Sequence, residues 1–204
     1  MIDFISTFII FFAVVDPIGT VPIFMAVTAH FDNAAKNKVA LLSILVATAV
    51  LLFFLTAGEF ILTAMSVPLA AFQIAGGIIL FLFALTMIFG ESKPDEEMKL
   101  INADDHQQKA IFPLAVPSIA SPGAMLTAVL LTESDKYSIW EQLQTVAVML
   151  VVLVVTYVLM RISGQIDRLI GYSGASVVSR VMGLILASVA TSHTLSGIEL
   201  YFGL

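Results

Sequence analysis

The 204-residue sequence is 59% hydrophobic and only 12% charged, with a mean hydropathy of +1.03. A soluble domain of this size is about 45–50% apolar and about 25% charged, so the composition argues against a water-soluble globule and indicates an integral membrane protein. The chain has no cysteine, which excludes disulfides, thiolate metal sites and cysteine nucleophiles.

Six apolar segments predict six membrane-spanning helices. Apart from Asp16 in the first segment, they carry no charged residue. A helix of about 20 apolar residues crosses a hydrocarbon core of about 30 Å, and these segments are long enough for that. They cover residues 4–29, 39–58, 66–89, 110–132, 142–160 and 181–198.

A polar, charge-dense segment separates the third and fourth predicted spans. This segment, residues 91–109, predicts a solvated connector, and His106 within it is expected to be an ordinary surface histidine. The chain is therefore divided into a first three-helix unit at 1–90, the acidic connector at 91–109 and a second three-helix unit at 110–204.

Lysine and arginine predict the orientation, because they collect in cytoplasmic loops. If the amino terminus is outside, eight of the nine basic residues fall in the three cytoplasmic connections, and only Lys136 lies on the outer side. We therefore expect both termini outside. The eight are Lys36, Lys38, Lys93, Lys99, Lys109, Arg161, Arg168 and Arg180.

The two halves of the sequence resemble each other. A shift of 106 residues places Gly77 on Gly183 and Ala84 on Ala190, and a shift of 105 places "DPIG" of the first span on "SPGA" of the fourth. Three helices per half is an odd number, so the second half must cross the membrane in the opposite sense. This predicts an inverted repeat, the plan of many secondary transporters, whose sites lie where paired helices are broken near the midplane.

Two dipeptides predict breaks in the first and fourth spans. In Asp16-Pro17 and Ser121-Pro122, a good helix-capping residue precedes a proline, which is favoured at the first position of a helix. The proline also lacks an amide donor and blocks continuation of the preceding helix. Each span is therefore expected to consist of two half-helices whose free backbone groups are buried in protein or line a wet cavity.

Such breaks offer groups of both polarities to a ligand. The free N–H groups at a half-helix amino terminus suit a carboxylate, and the free carbonyls before the break suit an ammonium group. Gly19 and Gly123 have no β-carbon, so we expect a ligand to approach their backbone closely. The pattern predicts a site for a small zwitterion.

The polar side chains near the breaks each have two interpretations. Asp16 either binds an ammonium group or carries a coupling proton, or it simply caps its own helix. Thr20, Ser118 and Ser121 either bind substrate or bond to carbonyls of their own helices. Gln73 in the third span either lines the cavity or bonds between helices, and the second is favoured.

The sequence gives no indication of an enzyme. The predicted spans hold no paired carboxylates and no nucleophile with a nearby base, and no hydrolase, zinc, phosphate-loop or dinucleotide motif occurs in a usable context. No basic, aromatic-rich patch indicates nucleic acid. We therefore expect no catalytic residue, no metal, no cofactor and no nucleic-acid partner.

Five stretches resemble the MarC family of bacterial and archaeal inner-membrane proteins: "DPIGTVPIF", "GEFIL", "AGGIILFLFALTMIFG", "PLAVPSIASPGAML" and "RVMGLILASVAT". The resemblance implies six spans, inverted halves and outer termini. It also implies that members acting as transporters bind amino acids of glycine or alanine size at the broken spans. The site residues implied are Asp16, Pro17, Ile18, Gly19, Thr20, Ser121, Pro122 and Gly123. Many relatives have asparagine in place of Asp16 and glycine in place of Ser121.

These observations lead to one main functional hypothesis and two alternatives. The first is secondary transport of a small neutral amino acid across the inner membrane, with a proton as the coupling ion and lipid as the surrounding partner. The alternatives are export of another small metabolite and a non-transporting membrane scaffold. The sequence predicts neither the direction of transport nor the oligomeric state.

Overall fold

The computed structural model describes residues 3–29, 31–89, 110–134 and 136–203 of the chain, so the acidic connector with His106 lies outside the described residues. Within these ranges all regular secondary structure is helical. The helices are α1 (Phe4–Val15), α2 (Pro17–Val27), α3 (Asn33–Ala64), α4 (Leu69–Phe89), α5 (Ala110–Ile119), α6 (Pro122–Leu130), α7 (Ile139–Arg161) and α8 (Ser163–Phe202).

These helices confirm an all-α protein with membrane-spanning segments. Five helical stretches of the described chain are long and apolar enough to cross a membrane: Phe4–Val27, Asn33–Leu62, Ala70–Phe89, Ile139–Arg161 and Ser176–Phe202. The sixth candidate is the pair α5 and α6, which meet at 53°. The described chain therefore has five spans, or six if the bent pair counts as one.

Two helices are longer than their predicted apolar segments. The predicted span 39–58 lies inside the 32-residue helix α3, and the predicted span 181–198 lies inside the 40-residue helix α8. Polar residues continue a helix into water because its backbone hydrogen bonds do not require an apolar environment. Hydropathy therefore marks the membrane-crossing part of a helix rather than its ends.

Local capping explains several helix boundaries. The Asp32 side chain accepts a hydrogen bond from the Ala35 amide at 2.8 Å, just before α3. Ser138 and Glu141 form a reciprocal capping box at the start of α7. Ser66, with a φ of 55°, lies in the turn between α3 and α4, where the sequence predicted a boundary.

The most extensive helix packing among the described elements is between α4 and α8, which approach closely at glycines. A Cβ atom added at Gly77 would lie 2.9 Å from the carbonyl oxygen of Ala190. A Cβ atom added at Gly183 would lie 3.1 Å from the carbonyl oxygen of Ala84. The earlier residue of α4, Gly77, meets the later residue of α8, and Ala84 meets the earlier one, so the two helices are antiparallel. Small residues permit this approach of two backbones.

We expect Gly77→Leu and Gly183→Leu each to destabilise the protein, by about 1–3 kcal/mol, because the added side chains would meet backbone that cannot rotate away. Thermal unfolding of the detergent-solubilised protein measures the effect. Gly164→Leu is the matched control, since Gly164 has no heavy atom within 4 Å of an added Cβ. Equal unfolding temperatures for all three variants would contradict the close packing of α4 on α8.

The two broken spans lie in the middle of the bundle. Helix α1 packs against α7 and α2 against both α7 and α8, while α5 packs against α3 and α6 against both α3 and α4. In the most apolar part of Phe4–Val27, 61% of residues are buried, against 22–39% in the other four stretches. The first broken span is therefore surrounded by protein rather than by lipid.

Candidate functional site

The first break is built on Asp16. This residue has left-handed backbone angles (φ 49°, ψ 67°), so it ends α1 and begins α2. Its amide donates to the Phe12 carbonyl at 3.0 Å, and its Oδ1 atom accepts from the Gly19 amide at 3.0 Å. The capping interpretation of Asp16 is thus confirmed, and the next residue, Pro17, is the first residue of α2 as predicted.

The second break has an irregular approach and a regular exit. Within α5, Phe112 and Val116 are extended rather than helical. Each precedes a proline, and the proline ring disfavours the helical conformation of the residue before it. At the exit, Ser121 is extended and its Oγ atom accepts from the Ala124 amide at 3.1 Å, which caps α6. Both predicted breaks are therefore present.

The two breaks are in direct contact. The Ser121 hydroxyl donates to the Val14 carbonyl at 2.9 Å, joining residues 107 positions apart. The hydroxyls of Thr20 and Ser118 lie 3.3 Å from each other. Ser121, Thr20 and Ser118 are all fully buried. The structure therefore brings the polar residues of both predicted breaks together inside the bundle.

A sixth-span residue completes this cluster. The Ser179 hydroxyl of α8 donates to Asp16 Oδ2 at 2.6 Å, and both residues are fully buried. Ser179 was not predicted from the sequence as a site residue. The available signal was its position, because a shift of 106 residues matches it to Gln73, the polar residue of the third span.

The chain resembles known proteins over its whole length. Residues 1–202 match the family model described as "MarC family integral membrane protein". The chain belongs to the MarC family. It is 33% identical over 201 residues to the UPF0056 inner membrane protein YhgN of Escherichia coli K12, covering 98% of both chains. It is 34% identical over 198 residues to a UPF0056 membrane protein of Methanocaldococcus jannaschii, covering 96% of both. No solved structure matches the chain.

The other predicted site residues of this MarC-family protein differ in how deeply they are buried. Pro17, Gly19 and Gly123 are buried with the cluster, Ile18 is half-buried and Pro122 is exposed. The exposed ring of Pro122 therefore shapes the second break from its outer side, whereas the buried residues face the other break or the helices that cover it.

Protein side chains fill the space in front of both glycines. An added Cβ at Gly19 would overlap the Asp16 carboxylate and would lie 2.6 Å from Ser179 Oγ. An added Cβ at Gly123 would lie 2.9 Å from Leu80 Cδ1. In this conformation the space left by the missing β-carbons is filled by neighbouring side chains, whereas the sequence predicted that a ligand would approach there.

Gln73 is buried in α4, with 5% of its surface exposed. Its amide has no hydrogen-bond partner in the part of the chain that the structure describes, so the favoured interhelical hydrogen bond is not found there. A buried amide without a partner costs free energy until water or a ligand supplies one.

The cluster offers complementary chemistry in an apolar surround. The Asp16 carboxylate and the Val14 carbonyl present oxygen atoms that suit an ammonium group. The hydroxyls of Thr20, Ser118 and Ser121 can donate or accept. The Val14 carbonyl already accepts from Ser121, and the Asp16 carboxylate already accepts from Ser179 and the Gly19 amide. A ligand at the breaks would therefore replace hydrogen bonds that already exist within the protein.

Proposed function

We propose that this MarC-family protein is a secondary transporter of small neutral amino acids of glycine or alanine size, which it moves without chemical change. The 2.9 Å hydrogen bond from Ser121 to the Val14 carbonyl carries the proposal, because it joins the two broken helices inside the bundle. Irregular backbone at membrane depth is costly unless it is buried or lines a cavity, and paired broken helices form the sites of many secondary transporters.

Substrate binding would exchange protein–protein hydrogen bonds for protein–substrate ones. The substrate ammonium group would donate hydrogen bonds to the Val14 carbonyl and the Asp16 carboxylate. It would displace Ser121 from the first and Ser179 from the second. The substrate carboxylate would accept hydrogen bonds from the released hydroxyls. The buried amide of Gln73, which has no partner among the described residues, is a further proposed donor. Leu80 at Gly123 and Ser179 at Gly19 leave little room, which favours the smallest amino acids.

We propose that the two halves form an inverted repeat. The support is the reciprocity between α4 and α8: Gly77 meets the Ala190 carbonyl, and Gly183 meets the Ala84 carbonyl. These four residues are the two pairs that the 106-residue shift matches. Reciprocal contacts of this kind accompany a two-fold axis, and the antiparallel packing of the matched helices gives the repeat its inverted sense.

The proposed location is the inner membrane of a bacterium or archaeon, with both termini outside. The relative from Escherichia coli is named an inner membrane protein. Asp3 and His193 line the same cavity, which supports placing the amino terminus and the end of α8 on one side of the bundle. The distribution of lysine and arginine then favours the outer side.

A proton is the proposed coupling ion, and Asp16 is its proposed carrier. Asp16 is the only acidic residue in the stretch Phe4–Val27 and is fully buried. Ionisable groups inside membrane spans are expensive, and they commonly mark ion or proton pathways. Protonation of Asp16 would weaken its carboxylate as a hydrogen-bond acceptor for Ser179 and Gly19. A proton and the substrate ammonium group would therefore compete for the same carboxylate.

Flux of labelled glycine and alanine in proteoliposomes tests the proposed function. We expect saturable uptake that excess unlabelled alanine inhibits and excess leucine does not. Liposomes containing the Gly19→Leu variant are the matched control. Substrate-specific flux of a different small metabolite would favour the exporter hypothesis, and absence of any substrate-specific flux by folded protein would favour a scaffold.

A further inference from the structure

A cavity of about 360 Å³ lies between the start of α1, the start of α7 and the last third of α8. We call it the vestibule. It is separate from the cluster at the breaks, and none of the predicted site residues lines it. Its lining residues include Asp3, Thr7, Ile10, Tyr137 and His193.

Three side chains lining the vestibule have unused hydrogen-bonding groups. Thr7 is only 6% exposed, yet its hydroxyl has no hydrogen-bond partner among the described residues. The Tyr137 hydroxyl and the His193 ring, both half-buried, also have no hydrogen-bond partner within that part of the chain. A buried hydroxyl without a partner is uncommon in native proteins and calls for water or a ligand. The buried Thr7 hydroxyl is therefore a polar group that a ligand in the vestibule can satisfy.

The Asp3 carboxylate favours a cationic group in the vestibule. Hydrogen bonds from the Ser6 hydroxyl and the Ile5 amide hold the pKa of Asp3 below its ordinary value, so its carboxylate is ionised at neutral pH. Burial, together with the nearby carboxylates of Glu133 and Glu141, raises the pKa of Tyr137, so its hydroxyl stays a neutral donor.

The amine of Lys136 lies on the same face, with its Nζ 5.8 Å from the centroid of the Tyr137 ring. Of the described charged side chains, only that of Asp3 lines the vestibule itself.

We propose that the vestibule is a binding site for small solutes that carry an ammonium group. The ammonium group lies at the Asp3 carboxylate, and the remainder of the solute takes hydrogen bonds from Thr7, Tyr137 and His193. A volume of about 360 Å³ lies within the range of small-molecule sites in proteins and exceeds what a single small amino acid fills. Water completes the site around a ligand of that size.

The vestibule and the breaks are separate sites. Ile10 is the vestibule residue of α1 nearest to Asp16 in sequence, and the two lie six positions apart, or about 9 Å along a helix. Phe11 and Val14, both fully buried, lie in that interval. Binding in the vestibule therefore does not depend on the proposed transport function, and it is measurable in detergent without a membrane gradient.

Histidine NMR tests this proposal with three probes: methylammonium, glycine and acetate. The chain has only three histidines, and the His193→Gln variant assigns the His193 signal. We expect methylammonium and glycine to shift that signal saturably, and acetate to leave it unchanged. Acetate binding as tightly as methylammonium, or no saturable shift with any probe, would overturn the proposal.

Two variants locate the binding. Asp3→Asn keeps a helix-capping residue and removes the charge, and we expect about threefold weaker binding of methylammonium, the scale of an exposed ionic contact. Thr7→Val keeps the shape and breaks no hydrogen bond within the described protein, and we expect about fivefold weaker binding of glycine.

Asp32→Asn is the matched control, because Asp32 likewise caps a helix from an exposed position elsewhere. If Asp3→Asn and Thr7→Val bind both probes as Asp32→Asn does, the vestibule is not the site. The same variants leave the test of the break residues unaffected, so failure here would not touch the proposed function.

Discussion

Replacing Gly19 with leucine is expected to reduce glycine flux to the level of protein-free liposomes. A side chain at this position has nowhere to go, because even its first carbon would overlap the Asp16 carboxylate and lie 2.6 Å from Ser179 Oγ. The added group would break the Asp16–Ser179 hydrogen bond and occupy the contact between the breaks. Overpacking of this kind costs about 1–3 kcal/mol in addition to the lost hydrogen bond.

A graded series separates loss of transport from loss of folding. Gly19→Ala adds one carbon and should retain more flux than Gly19→Leu, while Gly164→Leu adds the same bulk in open space and should transport normally. Monodisperse elution in detergent shows that each variant is folded. Normal flux through folded Gly19→Leu would place the substrate path away from the breaks.

The breaks were predictable from sequence because their signals are local. Asp16-Pro17 and Ser121-Pro122 each pair a capping side chain with a residue that cannot continue a helix, and both effects act within one turn. The approximate positions of the spans followed from hydropathy for the same reason, whereas the count of six depends on whether the bent pair of α5 and α6 is one span. Helix ends did not follow, because α3 and α8 begin with polar turns that precede their apolar segments and both continue beyond those segments at the other end.

The contacts that make the breaks into one site were not predictable in the same way. Ser179 reaches Asp16 across 163 positions of the chain, and nothing in the local sequence distinguishes it from a serine bonded to its own helix. The glycines show the same limit. Their lack of a β-carbon was visible in the sequence, but only the fold reveals that Ser179 and Leu80 use the space it leaves.

This arrangement explains how two costly breaks persist in an apolar bundle. Each capping side chain serves its own half-helix and a distant partner: Asp16 binds the Gly19 amide and Ser179, while Ser121 binds the Ala124 amide and the Val14 carbonyl. The polar groups exposed by the breaks thus compensate one another. A ligand that offers the same groups can replace these bonds with little net loss.

Replacing Asp16 with asparagine is expected to leave the fold intact but to remove proton-driven accumulation of glycine. Asparagine caps a helix as well as aspartate does, and its amide can still bond to the Gly19 amide and the Ser179 hydroxyl. It cannot take up or release a proton. Exchange of labelled for unlabelled glycine should therefore continue, while an imposed pH gradient should no longer drive uptake above equilibrium.

The comparison of exchange with accumulation decides between the two interpretations of Asp16. A residue that only caps α2 predicts that Asp16→Asn accumulates glycine as the unaltered protein does, which would reject Asp16 as the proton carrier. Asp32→Asn is the control, since it also replaces a capping aspartate, before α3. Asp16→Ala removes both the cap and the charge, and we expect it to lose exchange as well, because loss of a helix cap costs about 1 kcal/mol and Ser179 would lose its buried acceptor.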